Sequence, residues 1–255
     1  GASLSGVTFM SVPGWVSETQ FSYMVVVFGY LVGYAAIALI LLPLYYRLKL
    51  TSIYSYLEER FGFWSYKTGA GFFILSRTLG ASLRMFLVIN VLQIFVFDAW
   101  HIPFWVNALI FIVLIILYTF KGGIRTIVWT DTLQTTFMLL AVVLSIFYIS
   151  KDLGLPLSDL FREAQESGIT RMFITDWHHE RFFLKQFFSG MFITITMTGL
   201  DQEMMQKNLS CRNLKEAQKN MFTFSGILVF VNLMFLFLGA FLLLFSWSKG
   251  ITVEA

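Results

Sequence analysis

One carboxylate, two guanidiniums and a row of threonines are the groups in this chain with chemistry to offer. Asp131 closes the stretch Val128-Trp129-Thr130-Asp131 and stands at the mouth of an uncharged run, residues 132–150. A charge beside or within an apolar span is costly, so it is a functional suspect by default. The bland reading of Asp131 is a helix cap: Gln134 follows three residues later, as in a capping box, and the helix dipole favours a carboxylate there. Arg77 and Arg84 lie seven residues apart, on one face of a helix. A guanidinium at membrane depth needs a carboxylate, backbone carbonyls or an anionic ligand. Asp131 is a candidate partner for Arg84; snorkelling is the alternative, more easily for Arg77. Thr194, Thr198 and Asp201 recur at helical spacing, a polar face fit to line a cavity. Threonine hydroxyls also bond back to their own helix, which is the structural alternative.

The elements that carry these groups are too apolar for water. Of 255 residues, 57% are hydrophobic and 13% charged, against about 25% charged in an ordinary soluble domain. Mean hydropathy is +0.74. A span needs roughly 20 mostly apolar residues. Residues 21–46, 68–97, 102–120, 129–150, 184–203 and 220–248 read as spans, and 1–17, with Gly, Ser and Pro13, as part of a broken one. Gly122-Gly123 reads as a turn between two of them. The sequence therefore predicts an all-α, polytopic membrane protein, a single transmembrane domain over 1–255 that is incomplete at both ends.

Charge sets its orientation. Arg47, Lys49, Arg60 and Lys67 fall in one loop, Lys121 and Arg125 in a second, and Lys207, Arg212, Lys215 and Lys219 in a third. The positive-inside rule makes all three cytoplasmic and the loop 151–180 external. A net charge of +3 is too small to argue for nucleic acid. One cysteine, Cys211, excludes an internal disulfide framework. His178-His179 lacks further ligands nearby, so no metal cluster is expected there. No His/Asp/Glu or Ser/His constellation falls within the spans, so an enzyme is not expected.

Four stretches resemble the sodium/solute symporter family. Ala2-Ser3-Leu4-Ser5-Gly6-Val7-Thr8-Phe9 with Pro13-Gly14 looks like its broken first core helix, and Ser52 to Gly62 like its second cytoplasmic signature. Gly122-Gly123-Ile124-Arg125 through Trp129-Thr130-Asp131 and Gln134 is the most specific match. Asp201-Gln202, Gln206-Lys207 and Asn213 to Lys219 are similar to the loop after core helix six. The resemblance implies a LeuT-like inverted-repeat bundle, here core helix one in part and two to seven. It implies Na⁺ as coupling ion, with backbone carbonyls near Gly1 and Leu4 as half of its main site and Asp131 in sodium coupling.

Ser5, Thr8, Arg84, Thr194 and Met197 are the expected solute contacts. Thr8 stands where sugar carriers place a Gln, and Thr196, Met197 and Thr198 stand where they place aromatics. Arg84 adds the expectation of an anionic solute, a carboxylate or acidic sugar. The expected protein is a multi-pass symporter of the plasma (bacterial inner) membrane, its partners a small solute and the lipid bilayer, its oligomeric state unassigned. A membrane sensor domain feeding a signalling module is the alternative.

Overall fold

Inside lipid a backbone finds no water to bond, and an apolar run satisfies itself by coiling into a helix. The computed structural model describes residues 6–48 and 52–251, with side chains for all of these except 118 and 121–128; no strand occurs among the described residues. α1 (Gly6–Gly14) carries Pro13 near its end and is followed by the single turn α2 (Val16–Thr19). α3 (Tyr23–Ala36) passes through a wide π turn, Ile37–Leu41, into α4 (Leu42–Arg47). Pro43 accounts for the wide turn. It has no N–H, and in a regular helix its ring collides with the carbonyl four residues back.

α5 (Ile53–Phe61) is short and amphipathic, and the Ser52 hydroxyl accepts from the Tyr54 N–H at 3.2 Å to cap it. Gly62, at φ +86°, turns the chain into α6 (Phe63–Leu92), which continues as a π turn to Phe97 and a 3₁₀ turn to Trp100. α7 is Phe104–Leu153, α8 Leu157–Glu166 and α9 Phe183–Thr194. A third π turn, Ile195–Gly199, leads to α10 (Gln202–Leu209), and α11 is Leu214–Ser248.

Two expectations change here. The backbone from Phe104 to Leu153 is helical throughout, so the Gly122-Gly123 turn expected between two spans is not a break in the helix. No proline follows Pro103 in that stretch, and a glycine in a helix costs only about 1 kcal/mol relative to alanine. Without that turn, the charge tally rests on Arg47, Arg60 and Lys67 and on Lys207, Arg212, Lys215 and Lys219. The expected span 184–203 ends sooner, broken at Leu200-Asp201. By length and composition four stretches among the described residues qualify as membrane spans: Tyr23–Arg47, Phe63–Trp100, Trp129–Leu153 and Leu214–Ser248.

The core lies between α3, α9, α11 and α1. The apolar windows of Tyr23–Arg47 and Leu214–Ser248 are 50% and 56% buried, whereas that of Phe63–Trp100 is 6% buried, so α6 lies at the edge. In lipid, helices associate by close packing rather than by escaping water. Glycines supply it. A Cβ on Gly29 would strike the Phe187 carbonyl oxygen, one on Gly190 the Val26 carbonyl, and one on Gly33 would lie 2.7 Å from Thr194 Cβ. Gly29 and Gly33 are a small-xxx-small pair, and α3 and α9 meet backbone to backbone along it. On the other side, a Cβ on Gly239 of α11 would come within 2.7 Å of Val16 Cγ2.

Candidate solute cavity

The close α3–α9 crossing fixes Thr194 against Gly33, and Thr194, Met197 and Thr198 follow at i, i+3 and i+4 on one face. That face borders a cavity of about 480 Å³. Thr8 of α1, Tyr23, Tyr30 and Tyr34 of α3, Arg77 and Arg84 of α6 and Asn232 of α11 complete its polar lining. The Tyr23 and Tyr30 hydroxyls lie 3.2 Å apart. Asn232 is buried, and its amide donates to the Leu228 carbonyl at 2.8 Å.

Two further cavities adjoin it. One of about 360 Å³ shares Tyr23, Tyr30 and Ile193 with the first and adds Trp15, Thr19, Arg181 and Gln186. Arg181 Nη2 lies 3.7 Å from a Glu18 carboxylate oxygen. The other, about 500 Å³, shares Arg77, Gly80, Arg84 and Met197 with the first and adds Ser76, Thr196, Asp201 and Glu203. The three form a series, each joined to the next through common walls.

The broken helix between α9 and α10 is held from several sides. Gly199 fits against Leu41 and Ile37, and its carbonyl accepts from the Tyr45 hydroxyl at 3.2 Å. Asp201 takes an extended conformation and caps α10, its carboxylate accepting from the Met204 N–H at 3.1 Å. Gln202 Oε1 accepts from the Ile53 N–H at 3.0 Å, tying α10 to α5. Asp201 also forms a hydrogen-bonded ion pair with Arg77, and Glu203 lies 3.3 Å from the same guanidinium. Lys207 continues the alternation, 3.5 Å from Glu203 and 3.8 Å from Asp131.

The expected site residues divide accordingly. Thr8, Arg84, Thr194 and Met197 line the one cavity. Gly1, Leu4 and Ser5 lie outside the described residues. Asp131 is not on the cavity wall; it sits inside α7 rather than at a helix start, so the capping-box reading fails, and it faces Lys207 rather than Arg84. Among the described residues no carboxylate is within ion-pair distance of Arg84. Asp201 and Glu203 engage Arg77.

Several lining residues escaped the sequence reading. Tyr23, Tyr30 and Tyr34 recur along one helical face, and Asn232 is a lone amide in a long apolar run. Both were visible signals.

The apolar helices define an integral, multi-pass membrane protein with part of a LeuT-like, all-α bundle. The chain belongs to the sodium:solute symporter family, whose model matches residues 1–250. It is 27% identical over 220 residues to the sodium-dependent multivitamin transporter of Oryctolagus cuniculus, covering 84% of this chain and 33% of that protein. It is 25% identical over 255 residues to the sodium/sialic acid symporter NanT of Aliivibrio fischeri, covering 93% of this chain and 47% of that one. A Na⁺-coupled sialic acid symporter solved in a substrate-bound, outward-open state shares the fold, with a TM-score of 0.82 at 23% identity over 99% of this chain and 53% of that one. The chain thus spans about a third to a half of the length of the curated relatives named here. These relatives are carriers by name, and none supports the sensor alternative.

Proposed function

We propose that the whole protein is a sodium-coupled symporter importing a small anionic organic solute by alternating access. One observation carries the solute class: Arg84 faces the central cavity together with Thr8, Thr194 and Met197, with no carboxylate within ion-pair distance among the described residues. A guanidinium fixed in a cavity offers forked donors to a carboxylate, and threonine hydroxyls suit the rest of a polyhydroxylated acid. Sialic acid, named for two of the relatives, has that chemistry. Backbone carbonyls near Gly1 and Leu4 are proposed as sodium ligands, with Asp131 helping to hold or release the ion. The basic loops support an orientation with Arg47 and Lys207–Lys219 on the cytoplasmic side, and the proposed membrane is the plasma membrane, the inner membrane in a bacterium.

The test is uptake of radiolabelled sialic acid by the full-length protein in proteoliposomes, with and without an inward sodium gradient. Uptake is expected to require the gradient and to collapse when it is dissipated. Arg84→Gln is expected to lower uptake roughly tenfold or more, since a hydrogen bond to a charged group is worth about 1.5–3 kcal/mol. Unchanged uptake in Arg84→Gln removes Arg84 from the site.

A further inference from the structure

We propose that Arg77 is a second anion-binding station on the solute path, kept in reserve by Asp201, which the solute carboxylate displaces on its way to the cytoplasm. The inference rests on the anionic reading of the central cavity. Its ground is the placement of Arg77, which lines both the central cavity and the cavity beyond it and forms a hydrogen-bonded ion pair with Asp201.

Arg77 and Arg84 are seven residues apart on α6, so their Cα atoms are separated by roughly 10 Å along one helical face. A carboxylate released by Arg84 meets Arg77 next on that face. Arg84 has no carboxylate within ion-pair distance among the described residues. Arg77 has two, Asp201 in its hydrogen-bonded pair and Glu203 at 3.3 Å. Glu203 is in turn 3.5 Å from Lys207, so it has a second cation to fall back on. Asp201 has an alternative of another kind, because it also caps α10 through the Met204 N–H. Both acids keep a partner if Arg77 is taken from them.

The ion pairs of Arg77 are a direct link between α6 and the α10 end of the broken helix. α6 packs mainly on α5 and α7 and is little buried in the bundle. For the inner cavity to open, α10 must withdraw from α6. That costs a partly exposed guanidinium both of its carboxylate partners. A solute carboxylate arriving from Arg84 restores the pairing. The exchange makes inner opening easier when an anion is in transit than when the path is empty, a coupling between solute occupancy and opening.

The test uses the full-length protein in proteoliposomes with radiolabelled sialic acid and its uncharged carboxamide. Two variants are compared, Arg77→Gln and Asp201→Asn, the second keeping a good helix cap while weakening the pair. In both, turnover with sialic acid is expected to fall several-fold. Inner-side half-saturation, measured by efflux from liposomes loaded at graded concentrations, is expected to shift in opposite directions: weaker in Arg77→Gln, tighter in Asp201→Asn. Transport of the carboxamide is expected to be changed far less.

Shifts in the same direction, or equal losses for acid and carboxamide, reduce the pair to a structural link and overturn the proposal. So does unchanged turnover in both variants. A wild-type protein that transports neither sialic acid nor any other carboxylate overturns the anionic reading and this inference with it. Failure of the inference alone is distinct, because the wild type then transports while the variants behave alike.

Discussion

Arg84 and Arg77 are chemically identical, and their neighbours give them different work. Asp131 shows the same dependence. As a residue type at the edge of an apolar run it reads equally well as a cap or as an ion ligand, and the sequence holds nothing to separate the two. Its position inside α7, 3.8 Å from Lys207, removes the cap and leaves a carboxylate shared with an ammonium. If Asp131 helps hold sodium, Lys207 is its internal competitor. Asp131→Asn is then expected to raise the sodium concentration for half-maximal uptake several-fold at unchanged expression, read by sodium titration. An unaltered sodium dependence makes Asp131 only the counter-ion of Lys207. Cys211 allows a pH test. Burial, with Glu216 nearby, pushes its thiol above the ordinary cysteine range. The thiolate is the reactive form. A raised pKa lowers its fraction at neutral pH and moves the rise in rate to higher pH. Maleimide labelling of Cys211 is expected to be slower at pH 7 than that of a free thiol and to climb through a more alkaline window.

At the scale of elements, the helices were legible because apolar length dictates them, but their joints were not. The break after α9 depends on a π turn, a Tyr45 hydrogen bond to Gly199 and a cap by Asp201, contributions that come from distant segments. Arg77 and Asp201 are 124 positions apart, and no local pattern pairs them. The glycines of α3 were legible in principle as a small-xxx-small pair, yet their significance depends on Gly190 arriving opposite. The crossing makes a paired prediction. Gly29→Leu forces apart two backbones already in contact and is expected to cost about 1–3 kcal/mol or more, the range for overpacking. Gly226→Ala in α11, where an added Cβ meets nothing within 4 Å, is expected to be neutral or to gain about 0.5–1 kcal/mol. Denaturant unfolding in detergent compares the two. Equal effects argue against a backbone-to-backbone crossing.

For the whole molecule, the two ends of the bundle differ in charge and are each fastened by their own contacts. At one end the Tyr46 hydroxyl donates to the Cys211 carbonyl at 3.1 Å, and the Ile53 N–H donates to Gln202, bringing both remaining basic loops together. At the other, Lys249 lies 2.8 Å from Asp152, the Phe21 N–H donates to the Arg171 carbonyl, and Phe161 packs edge to face with Phe237 and Phe241. Positive charge collects at the first end, which the positive-inside rule assigns to the cytoplasm. Losing Lys121 and Arg125 from the tally does not reverse it, because Arg47, Arg60, Lys67, Lys207, Arg212, Lys215 and Lys219 remain. On the proposed orientation the series of cavities runs from Arg181 outside, past Arg84 and Arg77, to Asp201 inside. Orientation therefore decides the direction of the whole path. Ser167 and Ser210 are both exposed, one at each end. In a Cys211→Ser background, a membrane-impermeant maleimide added to intact cells is expected to label Ser167→Cys. Ser210→Cys is expected to react only after the membrane is permeabilised. The reverse pattern puts Arg77 and Asp201 on the entry side, and the order in which a solute meets the two arginines inverts with it.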